Sequence, residues 1–233
     1  ICLTFFYHIL TTMTWKQFFT SSIGKKLIMG FTGLFLIIFL VVHAGINACI
    51  FLNDEGKTFD TVAHFMSRNW ILRFLELGLF AGLILHIIQG ILLLRQNNAA
   101  RPIGYAVNKN PKSTWYSKSM GLLGVLILLF LVMHLSHFWL GTKEELYGNR
   151  EPQSLYGEMK IVFSKGYIVA LYLVGLFALL WHLMHGFQSA FHTLGLNRKK
   201  YTPIINALGA GYSILIVSLF ALMPLAVYFK LIN

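Results

Sequence analysis

Apolar positions gather into five long runs along the chain, each bounded by charged or polar residues. The first, KKLIMGFTGLFLIIFLVVHAGINAC from Lys25 to Cys49, continues for more than twenty residues past Lys26 without a charge. About 20 residues of α-helix cross the ~30 Å hydrocarbon core of a bilayer, so this run predicts a membrane span over about 28–52. Further spans are expected over about 70–94, stopped by Arg95, then 119–140, 166–196 and 203–229, the last stopped by Lys230. Residues 53–69, with Asp54, Glu55, Gly56 and Asp60, read as a loop. The 95–118 connection carries Arg95, Arg101, Lys109, Lys112 and Lys118 and no acid. The 141–165 connection mixes Glu144, Glu145, Glu151 and Glu158 with four basic residues, and NRKK at 197–200 is a tight basic turn. The expected fold is an all-α integral membrane bundle of five transmembrane helices, a single domain over 28–230 behind a lead-in over 1–27.

Composition excludes the soluble alternative. With 57% hydrophobic and 12% charged residues among 233, the chain has more apolar surface than one aqueous core can hide. The opening ICLTFFYHILTTM has neither an initiating Met nor the basic residues of a secretory signal. It points to Met13 as the start, and Trp15 to Lys26 reads as an approach at headgroup level. Two cysteines and no CxxCH give neither a disulfide framework nor covalent haem attachment.

The net charge of +11 is informative through its placement. The N-terminal segment, the 95–118 connection and the 197–200 turn hold eleven Lys and Arg and no acid, whereas seven of the eight acids lie in the other two connections. Excess Lys and Arg marks the cytoplasmic side, so the N-terminus is expected inside, the C-terminus outside, and the location is the cell's inner (cytoplasmic) membrane. The charge thus speaks for topology and a protein docking face, with no nucleic acid as partner.

Four histidines stand at one depth. His43 lies 15 residues after Ile28, and His86, His134 and His182 lie 16 residues after Trp70, Lys118 and Gly166. At 1.5 Å per residue each is roughly 24 Å from where its span begins. Successive spans reverse direction, so His43 and His134 should meet near the outside, and His86 and His182 nearer the inside. The segments HIIQG (86–90) and HLMHG (182–186) add Gly90 and Gly186 four residues after a histidine, on the same helical face, where a flat group can approach the backbone.

Single intramembrane histidines are often hydrogen-bonded interior residues, but a repeated level has no explanation in that reading. Two facing imidazoles at each of two levels suit two bis-histidine b haems. Zinc would want a compact tetrahedral cluster. His137 and His185 follow a chosen histidine by three residues and compete for its role. About 28 Å in, they fall at the membrane edge, within reach of water or a haem propionate. His8, His64 and His192 lie outside the hydrocarbon region. The aromatic residues, 20 Phe among them, read as lipid-facing and packing groups. Arg73 and Glu76 read either as an i,i+3 ion pair or as a propionate anchor and a proton acceptor for a quinol. Arg95 reads as a propionate anchor at the inner level or as an ordinary flanking charge.

TGLFLIIFLVVH (32–43), the histidine–glycine spacings of spans two and four, and VMHLSHFW (132–139) resemble the di-haem cytochrome b subunit of succinate dehydrogenase and fumarate reductase, the single-chain, five-helix membrane anchor. The resemblance covers about residues 15–230. The family places its ligand four residues before one glycine and thirteen before another, which His182, Gly186 and Gly195 satisfy and His185 does not.

The resemblance implies an electron-transfer subunit, no enzyme by itself. A flavoprotein with FAD and an iron–sulfur protein would dock on its cytoplasmic face and interconvert succinate and fumarate. It further implies an inner haem on His86 and His182, an outer haem on His43 and His134, and exchange with a membrane quinone, menaquinone, in complexes that can dimerise. Gly30 and Phe31 stand where some relatives carry polar residues against haem. Glu55, Asp60 and Glu76 are the candidates for the quinol's proton. Two other classes stay open: the cytochrome b anchor of a formate dehydrogenase or hydrogenase, and a haemless transporter or assembly anchor with histidines as proton relays. Against the last stand span interiors with little polar lining and only one deep proline, Pro224.

Overall fold

The computed structural model describes residues 21–99, 115–148, 154–196 and 198–232, with Thr14 alone ahead of them. The start at Met13, the approach up to residue 20, the middle of the basic 95–118 connection and Asn197 lie outside the described residues.

Five helices are long and apolar enough to cross a membrane: Ser22–Leu52, Trp70–Ala99, Met120–Tyr147, Gly166–Thr193 and Thr202–Tyr228, here spans one to five. Among the described residues there is no strand. Ser21 caps span one, its hydroxyl accepting the Gly24 N–H at 3.0 Å, and the span tightens into a 3-10 turn over Ala48–Leu52. Pro203 sits in the first turn of span five, where its missing N–H costs nothing.

Span four forms the spine, packed against spans one, three and five. Span two packs on span one, and spans two and three scarcely meet. The two ends differ in charge, and the end bearing the acids is sealed. Ile50, Phe59, Tyr156, Met159, Val162, Phe163, Ile168, Val169 and Tyr172 form one buried cluster there with Met223 and Val227 of span five.

Several boundaries depart from the hydropathy reading: span one begins at Ser22, inside the expected lead-in, and span four ends at Thr193. Residues 53–69 are not a loop, because Lys57–Arg68 is a helix that turns Phe59 into the sealed end. Its first turn is held by Asp54, whose carboxylate accepts the Thr58 N–H at 2.9 Å and hydroxyl at 2.5 Å. The 141–165 connection is also partly helical. Span three runs on to Tyr147 through a π-helical turn at Leu135–Trp139, and Leu155–Phe163 forms a further helix. Span two continues past Arg95 to Ala99. Hydropathy registers apolar length, whereas these additions are amphipathic or polar turns stabilised by tertiary partners.

The Lys57–Arg68 and Leu155–Phe163 helices are clasped together. Asp60 accepts the Ser154 hydroxyl at 2.5 Å and the Tyr156 N–H at 2.9 Å. Gly56, with φ 79°, packs under the Tyr156 ring, so any side chain there meets both a left-handed backbone and the ring.

Candidate functional site

Two histidine couples face each other across the bundle. His43 of span one and His134 of span three have ring centroids 5.8 Å apart, and His86 of span two and His182 of span four 6.1 Å apart. The ring planes are turned by 89° and 67°. Among the described residues, no three His, Cys, Asp or Glu side chains come together to share an ion. The site therefore offers facing pairs of ligands.

The local sequence shapes each couple. In FLVVH and FLVMH a phenylalanine precedes the histidine by four residues, so the two share a helical face. Phe39 stacks on His43 at 5.2 Å and Phe130 on His134 at 5.6 Å, nearly parallel at 20° and 19°. Phe220 of span five and Tyr172 of span four complete the wall. This repeated F-x-x-x-H spacing was legible in the sequence, yet these aromatics read there only as packing groups.

At the other level the Thr32–Gly33 step of span one meets His86. The Thr32 hydroxyl donates to the Ile28 carbonyl at 2.7 Å, so its oxygen is free to accept the His86 Nδ1–H at 3.1 Å. That contact fixes the tautomer and leaves Nε2 with its lone pair. A Cβ at Gly33 would come within 3.6 Å of the His86 ring. Gly186 borders open space on span four, and Gly90 admits the Met29 side chain, which would lie 3.1 Å from an added Cβ.

These residues fit a bis-imidazole haem on several counts. Two metal–nitrogen bonds of about 2 Å, plus half a ring on each side, separate the centroids by about 6 Å. Two opposed imidazoles complete an iron whose other four ligands come from a porphyrin. Among the described residues, the Nδ1 atoms of His134 and His182 are buried without a hydrogen-bond partner, so these two rings lack the supporting bond that Thr32 gives His86. At His43 the Asn47 amide donates to the backbone carbonyl at 2.8 Å and approaches Nδ1 only at 3.4 Å.

His137 and His185 stand outside both couples. His137 Nδ1 lies 3.0 Å from the Tyr172 hydroxyl and its ring stacks on that tyrosine. His185 faces Tyr116 at 6.4 Å within a cluster holding Trp115 and Trp181.

The expected Arg73–Glu76 ion pair does not form. The Glu76 carboxylate instead takes the Trp139 indole N–H at 2.5 Å and the Lys143 ammonium at 2.7 Å, because the prolonged span three brings both alongside span two. Arg73 donates to the Ser67 carbonyl at 3.1 Å and lies over the Tyr147 ring at 5.3 Å. Arg95 is exposed toward the opposite end of span two.

Five apolar, membrane-length helices, four of them with histidines at their interior, define a multi-pass membrane protein. No protein-family model, curated protein or solved structure matches the chain.

Proposed function

We propose that this chain is the membrane electron-transfer subunit of a succinate:quinone oxidoreductase, carrying two b haems between a cytoplasmic succinate dehydrogenase or fumarate reductase module and membrane quinone. The observation that carries the reading is the arrangement of four intramembrane histidines as two facing couples, at separate levels. Thr32 marks one level and His43 the other, eleven residues apart on span one, or about 16 Å of helix.

His86 and His182 would hold the inner haem and His43 and His134 the outer one. When bound, haem supplies one-electron chemistry at an iron with no open position for dioxygen. The protein's own part is positional. Thr32 sets the His86 tautomer, Phe39 and Phe130 hold their histidines flat, and the surrounding apolar side chains exclude water.

The basic end faces the cytoplasm in this proposal, where it suits the acidic surface of a partner. The flavoprotein with FAD and the iron–sulfur subunit dock there, and menaquinone exchanges electrons from the lipid. Glu76 remains the intramembrane carboxylate for a quinol's proton. Cysteine in place of Glu55 should react with an impermeant thiol reagent from outside, and cysteine in place of Lys199 only after the cytoplasmic face is opened.

An absorption spectrum with a pyridine haemochrome assay on the purified chain tests the reading. Two low-spin b haems per chain are expected, and zero or one overturns it. FAD in the co-purified complex and reduction of the haems by succinate identify the dehydrogenase. Reduction by formate or hydrogen alone would assign the anchor to a different enzyme.

A further inference from the structure

Among the described residues, four buried side-chain atoms that should be hydrogen-bonded have no partner: Gln89 Oε1, Trp181 Nε1, and the Nδ1 atoms of His134 and His182. The first two belong to neither couple, yet both adjoin the inner one. Gln89 follows His86 by three residues on span two, and Trp181 immediately precedes His182 on span four.

Of the thirty residues in span two, Gln89 alone is buried, 5% exposed, while Leu85, Ile88 and Ile91 around it are exposed. An amide in that position costs free energy unless something bonds to it. It stands about 4.5 Å of helix beyond His86 toward the basic end, and within about 60° of it around the helix. Gly90 beside it takes the Met29 side chain of span one, so this stretch of span two is turned into the bundle. Trp181 also reaches the basic end, its ring stacked on Tyr116 and edge-on to Trp115 just ahead of span three. Its indole N–H only donates, so the missing partner carries an acceptor. The Gln89 amide presents its NH2 by turning about its last bond, so one acceptor group serves both residues. No carboxylate of the chain is at hand. Seven of its eight acids lie in the two connections at the opposite end, and Glu76 is bound there by Lys143.

We propose that Gln89 and Trp181 donate hydrogen bonds to a carboxylate of the group held between His86 and His182: on the haem reading above, on which this rests, a propionate of the inner haem. The porphyrin's polar edge is then turned toward the basic end and held by neutral donors. A buried water satisfies the same atoms, so the test separates water from carboxylate.

The full-length chain, as wild type, Gln89→Leu and Trp181→Phe, is produced without haem and loaded with haem or with haem dimethyl ester, whose carboxylates are blocked. The inner site of the wild type is expected to favour haem by about tenfold or more in redox-resolved spectra. Each variant should bring that ratio toward one, while uptake at the outer site stays as in wild type and reports that the variant folds. Melting of the empty chain gives a second readout. Gln89→Leu removes an atom that the empty chain leaves unpaired, so it should melt no lower than wild type while holding haem less tightly; a packing role would lower both. Equal uptake of haem and ester by the wild type, or an unchanged ratio in either variant, overturns the assignment and leaves water as the partner. So does an empty Gln89→Leu chain that melts clearly below wild type. A chain that takes up neither compound overturns the haem reading itself, which is a distinguishable result.

Discussion

At the scale of single residues, His86 has the most defined surroundings, because Thr32 accepts its Nδ1–H while Gly33 leaves the ring clear. Hydrogen bonds behind a ligating imidazole are typically worth 10–100-fold in metal affinity. Thr32→Val should therefore weaken haem retention at the inner site by about tenfold or more and leave the outer site intact, as read by competition with an apo-haem acceptor. The couples themselves make a sharper case. His43→Ala and His134→Ala are each expected to abolish the same haem, and His86→Ala and His182→Ala the other, in redox-resolved spectra. Loss of different haems within a couple would contradict the pairing. His137→Ala and His185→Ala should keep two haems, since those rings engage Tyr172 and Tyr116 instead. Glu76 is bound to two donors on the neighbouring span. Glu76→Ala leaves both without their acceptor and should cost about 1–3 kcal/mol in thermal unfolding.

At the scale of elements, the clasp between the Lys57–Arg68 and Leu155–Phe163 helices depends on one carboxylate. Asp60 holds both the Ser154 hydroxyl and the Tyr156 N–H, so Asp60→Ala removes a tertiary tie and the orientation of a helix start together. About 1–2 kcal/mol of local stability should go, seen as faster amide exchange over 155–163 with the spans unaffected. Burial pushes the Tyr156 phenol above its ordinary range, and the Asp54 and Asp60 charges add to that. Asp54 is shifted the other way, its carboxyl held below the usual carboxylate range chiefly by the Thr58 hydroxyl and then by the Thr58 N–H. A depressed carboxyl stabilises the fold above its unfolded value and loses that contribution as pH falls through its folded value. Amide protection at Thr58 should therefore decline in acid and hold steady above the carboxylate range.

At the scale of the whole molecule, the five spans were legible because lipid imposes a length and a composition that a run of apolar residues satisfies directly. The depth of the histidines was legible for a similar reason: helical rise is constant, so counting residues measures height. The partnership of Glu76 with Trp139 and Lys143 was not, because it depends on a π-helical turn that has no hydropathy signature. The two amphipathic helices were read as loops because their apolar residues are few and find a buried setting only against each other and the ends of spans.

Spans one, four and five make a keel, while spans two and three are outriggers, packed chiefly two on one and three on four, and joined to each other at one end through Glu76. His86 reaches from span two to span four, and His134 from span three to span one. Each couple thus ties an outrigger to the keel helix it otherwise scarcely touches. A rigid disc gripped at both places would act as a pair of crossed braces, making cofactor delivery and final assembly of this protein a single event.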